Sequence, residues 1–572
     1  MNASARIALT GLVALLLMVG VFSARPWLLD RTEYALLDWR FRVRGATPPV
    51  SKVVIVAVDA KSIDEIGRWP WSRGVVAQLI DELGNAGAVA IGLDFIFSEP
   101  ETSADFEAIR LARETLVARS AEEPELAAQI ATLDRTLDGA DTDQRLADAI
   151  RNSRKTVLGY FFRTGRGEDD SPEALARALS TIRRSKFSVA RAPARAPVLT
   201  CTGLEANIPL IQGAARRAGF FSAVNDPDGV LRRAALVARC SDEFYMSLAL
   251  GVYEIATGKR SQLHGDAESL TEIRVGNRVF PTDEGGKILI NYRGPPGTFP
   301  HVSATDIVHG RVATDLIDGA IALIGPTEVG LRDSHLTPFG KSAPGVEVHA
   351  NIVDNLLEGE VLRRHDWMIF AELGLIFAIG GLLILALPRL GSAALAALFA
   401  AAIGGTLLAG NVLAFTRYGL WINLAYPLAS LVVVYVALEI ARSVTVEAGS
   451  RRIRRMFATY VPPEVVDELT ENQGSFKLVG ERRDLSILFS DVRDFTTLSE
   501  RLGAESVARL MNVYLTAMTD IIFDSRGTLD KYIGDAIVAF WGAPLPVDDH
   551  PRRTCESAIA MQLEIARLRA EQ

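Results

Sequence analysis

LSILFSDVRDFTTLSE, residues 485–500, and LDKYIGDAIVAFWG, residues 529–542, bracket the stretch around which the chain is organised. Leu485–Phe489 is a short apolar run and predicts a buried strand, with Asp491 just past its end. Thr528–Ile533 and Ala536–Trp541 predict two more strands, split by Gly534-Asp535, a dipeptide suited to a tight hairpin. Between them, Glu500–Phe523 has helical spacing, with Leu502, Val507, Leu510, Val513, Tyr514, Ala517 and Ile521 on one face. A strand, a helical crossover and a hairpin place Asp491 and Asp535 at the same edge of one sheet. Two carboxylates there suit a pair of hard divalent cations, which take oxygen ligands and complete their shells with substrate phosphates. Taken singly, an Asp after a strand is ordinary capping chemistry and Gly-Asp is ordinary hairpin chemistry.

In order and spacing, the two motifs resemble the catalytic domain of class III nucleotide cyclases, the adenylate and guanylate cyclases. The resemblance implies an α+β, ferredoxin-like catalytic domain over residues 481–572. In it Asp491 and Asp535 hold two metal ions, Mg2+ or Mn2+, and the Val492 carbonyl touches one of them. Backbone N–H groups of Asp494, Phe495 and Thr496 face the triphosphate, and Lys531 reads the base. A lysine only donates hydrogen bonds, so it suits an acceptor such as N1 of adenine. Asp494 stands where the family often has glycine. The implied reaction is attack of the ribose 3′-oxygen of ATP on the α-phosphorus, with pyrophosphate leaving, at the interface of a homodimer.

After Trp541 the sequence GAPLPVDDHPRRTCESAIAMQLEIARLRAEQ predicts a loop and one amphipathic helix. Family catalytic domains continue with strands that bear a second base-reading residue and an Asn and Arg for the transition state. The expectation is therefore an incomplete catalytic domain belonging to a longer membrane adenylate cyclase. The alternative is a non-catalytic receptor whose truncated, cyclase-like end only dimerises or docks a partner. A diguanylate cyclase would need a Gly-Gly-Asp/Glu-Glu-Phe turn, and the hairpin here runs Ile-Gly-Asp-Ala.

Over 572 residues, 49% hydrophobic content beside 23% charged residues points to membrane segments joined to soluble domains. The net charge of −8 and the lack of a basic tract argue against a nucleic-acid partner. Three cysteines, at 201, 240 and 555, lack metal-ligand spacing. Ile7–Phe22 reads as an uncleaved anchor, although Val21-Phe22-Ser23 also fits a signal-peptide cleavage region; both export the domain C-terminal to it. Trp367–Leu387, Ser392–Phe415 and Leu420–Ile440 are each long enough to span.

Four transmembrane helices in total put both chain ends on one side. Arg389, Arg451, Arg452, Arg454 and Arg455 mark that side as cytoplasmic, against the single Arg417 in the opposite loop. The arginine cluster also suits lipid headgroups. Glu372, inside the second run but near its end, is expected to snorkel. Glu439–Tyr460 is helical in character until Pro462-Pro463 and could serve as a signal lever.

Residues 25–365 lack a spanning run. Val53–Val58 predicts a buried strand, Val75–Leu83 a helix and Ala88–Phe97 a strand, a βαβ rhythm. Thr102–Ser153 reads as a helical insertion, and further strands are expected at Arg233–Val237, Lys287–Tyr292 and Ala320–Ile324. Asp59 and Asp94 follow strand ends and read as capping or structural residues. No nucleophile–base pair or phosphate loop stands out, so the domain reads as a binder.

The phrases IVAVDAKSIDEIGRWPWSR, AIGLDFIFSEP, NDPDGVLRRAAL and TPFGKSAPGVEVHANIVDNLLEG are similar to the second type of CHASE sensor domain. This resemblance implies an extracytoplasmic sensor with a ligand of unknown identity. Trp69-Pro70-Trp71 fits a core-packing role or an aromatic binding wall, and pairing of Cys201 with Cys240 stays open. The expected whole is a multidomain membrane protein. Its parts are an anchor (1–24), an α/β extracytoplasmic sensor (25–365), three transmembrane helices (366–441), a cytoplasmic linker helix (442–480) and the incomplete cyclase domain (481–572).

Overall fold

The computed structural model describes residues 3–101, 104–119, 127–164, 171–189, 195–265, 268–328, 330–331, 333–365, 367–390, 392–457 and 482–570. The expected helix stop at Pro462-Pro463 and most of the approach to the first catalytic strand lie outside the described residues. The chain forms two compact units, one of Met1–Ala14, Leu382–Ala396 and Val433–Gln572, the other of Leu15–Gly381 and Ala397–Val432.

The second unit is built on a mostly parallel sheet. Val53–Val58 lies between His301–Ser303 and Ile321–Pro326, followed across the sheet by Ala90–Leu93 and Thr156–Arg163. Arg217–Phe220 then pairs with Thr156–Arg163 in parallel, and Gly203–Glu205 in antiparallel. The all-apolar run Val53–Val58 is buried on both faces, as a parallel strand covered on two sides must be. Val53 and Ile55 enter one core, with residues of the Leu248–Thr257 and Gly345–Glu358 helices. Val54, Val56 and Val58 enter the other, with residues of the Arg73–Asn85 and Thr142–Ser153 helices.

The expected βαβ rhythm is present in chain order. Val53–Val58 and Ala90–Leu93 are not neighbours, because Ile321–Pro326 inserts between them and pairs with both. The expected strand Arg233–Val237 is broken at Leu236 into Arg233–Ala235 and Val237–Cys240. Cys201 and Cys240 form a disulfide.

Among the described residues, four helices are long and apolar enough to cross a membrane: Ala5–Ala24, Met368–Arg389, Ala393–Tyr418 and Ala425–Thr445. The last belongs to a continuous helix, Ala425–Phe457. Leu420–Leu424, read from sequence as the start of that span, is not helical. There the Trp421 N–H donates to the Arg363 carbonyl at 2.9 Å, so the chain runs extended before the helix begins.

The buried start of that helix leaves backbone donors without helical partners. Glu33, on the helix Trp27–Arg44, supplies the acceptors. Its Oε2 takes the Leu424 and Ala425 N–H groups at 2.8 and 3.1 Å, and its Oε1 takes Trp421 Nε1–H at 2.8 Å and pairs with Arg40. Glu372 does not snorkel. It is fully buried, accepts the Asn423 N–H at 2.8 Å and pairs with Arg364 at 3.1 Å. An inward partner outweighs the route to the interface, because a buried carboxylate left alone costs several kcal/mol, about 3–5 for a broken buried pair.

In the first unit a three-stranded antiparallel sheet has Ala536–Trp541 at its centre, flanked by Ser486–Ser490 and Thr528–Ile533. Met518, Ile522, Leu529, Ile537, Ala539, Trp541 and Met561 pack between one sheet face and the helices Ala504–Asp524 and His550–Ala570. The expected single helix over Glu500–Phe523 is two, Phe495–Arg501 and Ala504–Asp524, with Gly503 capping the second. The expected buried strand at Leu485–Phe489 is a half-exposed edge. Leu488 packs inward, while Ile487 and Phe489 are 56% and 74% exposed on the face that the helices leave bare.

Glu33→Gln removes the charge that balances buried Arg40, and a loss of about 3–5 kcal/mol is expected. It is read as a lower melting temperature of the detergent-solubilised chain, partly restored when Arg40→Met is added. Cys201→Ser is expected to cost about 2–4 kcal/mol. Unfolding of the wild-type chain in dithiothreitol should match that of the variant.

Candidate active site

Register places Asp491 and Asp535 at the same end of the sheet. Ser490 pairs with Ile537, so the residue after Ser490 lies beside the start of the central strand, where Ile533 pairs with Ala536 across the two-residue turn. Gly534 has φ +66°, the left-handed conformation that such a hairpin turn demands and that glycine adopts without strain. The turn therefore fixes where Asp535 leaves the sheet.

Tyr514 lies within electrostatic reach of both acids. Its hydroxyl lies 3.1 Å from Ser490 Oγ, and it is held above its ordinary pKa first by burial and then by the negative charges of both Asp491 and Asp535. Among the described residues neither aspartate takes part in an ion pair, so both carboxylates are open to a cation. Two carboxylates are too few donors for a closed metal cage, and no cluster of three or more His, Cys, Asp or Glu residues fit for a metal occurs among the described residues. Hard cations held here would complete their shells with the Val492 carbonyl and substrate oxygens, the usual arrangement for magnesium. The residues fit the metals implied by the sequence.

The remaining predicted residues fall around this pair. Val492 accepts the Phe495 N–H at 3.3 Å in the turn after the strand, which occupies one of the N–H groups expected to face a triphosphate. Asp494 has φ +58° and caps the Phe495–Arg501 helix without a side-chain hydrogen bond. That backbone explains the glycine expected at the position: a left-handed residue with a Cβ is strained. Thr496 is exposed, and its carbonyl accepts from Ser499 Oγ at 2.8 Å.

Lys531 sits past an irregularity at Asp530 that shifts the strand register, so it pairs with Val538. Its side chain is 60% exposed, and its ammonium lies 3.4 Å from Asp530. Sequence reasoning placed Tyr514 only on an apolar helix face and passed over Ser490. The polar end of an otherwise apolar stripe was the signal available.

In the other unit Asp59 is the cap it was expected to be, accepting the Ser62 N–H at 2.9 Å. Asp94 caps nothing and lines a cavity together with Trp69 and Trp71.

A family model described as the CHASE2 domain matches residues 12–388, more than half of the chain, and one described as the adenylate and guanylate cyclase catalytic domain matches residues 479–572. The chain belongs to the CHASE2 domain family and carries a class III cyclase catalytic domain at its C-terminal side. It is similar to "Adenylate cyclase 1" of Rhizobium meliloti (strain 1021), 30% identical over 106 residues, 18% of this chain and 16% of that protein. It is also similar to "Adenylate cyclase" of Anabaena cylindrica, 31% identical over 97 residues, 17% of this chain and 18% of that protein. Under a fifth of either relative's length is covered. Among solved structures, the adenylyl cyclase CyaB from P. aeruginosa is 37% identical over 15% of this chain and 45% of its own, with a TM-score of 0.15.

Asp494→Gly removes the left-handed strain at the cost of some chain entropy. The expected outcome is a cyclase domain more stable by up to about 1 kcal/mol, read in thermal melts against Asp494→Ala, which keeps the strain and gains nothing.

Proposed function

We propose that this chain is a membrane-bound sensor adenylate cyclase that converts ATP to cyclic AMP and pyrophosphate by two-metal catalysis at a homodimer interface. The observation that carries the reading is the meeting of Asp491 and Asp535, free of ion pairs, at one end of a sheet in a cyclase domain. Asp491, Asp535 and the Val492 carbonyl would hold the two metals, Mg2+ or Mn2+. When bound, such ions would supply Lewis-acid chemistry, easing loss of the ribose 3′-hydroxyl proton and offsetting the charge of the β- and γ-phosphates. Tyr514 and Ser490 brace the strand end from which Asp491 projects.

Lys531 lies on the sheet face that the helices do not cover, with Ile487, Phe489 and Ile533 exposed beside it in register. An apolar face of that kind, carrying a base-reading lysine, suits a second copy of the domain. Asp494–Thr496 would lie along the triphosphate.

CHASE2 domains are the sensing part of this reading. The Cys201–Cys240 disulfide fits an oxidising, extracytoplasmic compartment, and the arginines at 451, 452, 454 and 455 fit the cytoplasmic side. The Ala425–Phe457 helix, anchored by Glu33, is the lever by which a ligand outside would change how two catalytic domains meet.

The test is cyclic AMP formation from ATP with Mg2+ or Mn2+ by membranes carrying the chain. Asp491→Ala and Asp535→Ala are each expected to lower the rate about a hundredfold or more, with the protein level unchanged. Lys531→Glu is expected to reduce the preference for ATP over GTP. Absence of cyclic AMP with either metal would favour a receptor whose cyclase-like end only docks a partner.

A further inference from the structure

A cavity of about 650 Å³ opens in the sensor where its parallel strands end. Asp94 and Phe95 follow the strand Ala90–Leu93, Phe220 ends Arg217–Phe220, and Pro326 ends Ile321–Pro326; all line the cavity. Open α/β sheets take ligands outside the carboxyl ends of their strands, and the volume suits a small organic molecule.

Part of the lining is a chain of edge-to-face aromatic rings. Trp69 meets Phe95 at 5.0 Å and Trp71 at 5.1 Å between centroids, and Phe95 meets Phe97 at 5.4 Å. The rest is polar and holds one unmet requirement, at Asp94. The Asp94 carboxylate is 12% exposed and faces His349 Nε2 at 3.5 Å, and no lysine or arginine among the described residues pairs with it. Burial and repulsion from Asp333 raise its pKa well above the carboxylate range. His349 brings no charge to it, because burial pushes that imidazole down to about 4. His349 itself is 9% exposed, and its Nδ1 is buried without a hydrogen-bond partner.

Among the described residues, the two arginines of the lining are committed elsewhere. Arg73 lies 3.4 Å from Asp143, donates to the Glu99 carbonyl at 2.7 Å and stacks over Phe97. Arg233 donates to Tyr34 Oη at 2.9 Å and stacks over Trp421. Among the described residues Asp94 therefore has no cationic partner, and it lies beside rings whose electron-rich faces attract cations.

We propose that this cavity is the sensor's ligand site and that it takes a small organic amine in its protonated form. The ammonium sits at Asp94, and the apolar body lies along the Trp69–Phe95 wall. The inference rests on the proposed sensor role for its biological meaning, but binding is measured without any cyclase activity. Binding without cyclic AMP formation would therefore sink only the output reading, and cyclic AMP formation without binding would sink only the amine site.

The test uses the full chain in lipid nanodiscs and three probes of one size and different charge: 2-phenylethylammonium, 2-phenylethanol and 3-phenylpropionate. Saturation-transfer difference NMR, which detects weak binders, reads affinity. The amine is expected to bind roughly tenfold more tightly than the alcohol, and the carboxylate not to bind. Asp94→Asn should abolish the preference for amine over alcohol, and Trp69→Ala should weaken both. Failure of all three probes to bind the wild-type chain would overturn the proposal. So would equal binding of the carboxylate, or a preference unchanged in Asp94→Asn. The charge series on the wild-type chain decides the matter even where a variant fails to fold.

Discussion

A helix that starts inside a protein must have its first N–H groups met by something, and here that something is the carboxylate of Glu33. It accepts from Leu424, Ala425 and Trp421 and is balanced by Arg40, all within a buried environment. Neither charge can leave without stranding the other, so the arrangement has few alternatives of similar energy. It ties the helix Trp27–Arg44 to the first turn of Ala425–Phe457. A displacement of one must move the other or break a buried pair.

The same helix is held on its sensor side by a second charged cluster. Arg232, buried in the sensor, reaches Asp38 through a two-pronged bond at 2.7 and 2.8 Å, and also binds Asp228. Burial opposes the charge on Arg232, yet the hydrogen bonds from Asp228 and Asp38 hold its pKa above the ordinary arginine value. Arg44 adds a bond to Asn291 at 2.5 Å. Planar guanidinium forks constrain orientation as well as distance. Helix Trp27–Arg44 is thus fastened to the sensor at one set of residues and to the start of the last apolar helix at another.

The catalytic motif and the sensor cavity differ in how they are encoded. Asp491, Lys531 and Asp535 lie on a strand end and a hairpin close together in sequence, where period-two patterning and a Gly-Asp turn fix relative positions. Asp94 and His349 belong to a strand end and a helix far apart in the chain, and neither residue carries a local pattern that names the other. Asp94 read as a structural residue because nothing near it in sequence distinguishes a cap from a cavity wall. Glu372 was misread for a similar reason. Proximity to a span's end suggests snorkelling, and only the folded chain reveals Arg364 and the Asn423 N–H facing it.

Sequence by itself determined the four apolar helices, the all-apolar central strand, the hairpin and the acidic pair at its end, because each follows from periodicity, length or turn chemistry within a short window. The order of the sensor's sheet escaped it. Ile321–Pro326 enters between strands that look consecutive, and strand neighbours are chosen by long-range packing that no local pattern records. Exposure of the first catalytic strand escaped it as well, since a short apolar run is equally consistent with one covered face or two. Tertiary structure alone decided which buried charges meet. A carboxylate in the interior is tolerable only beside a partner, and that partner comes from wherever the fold brings it.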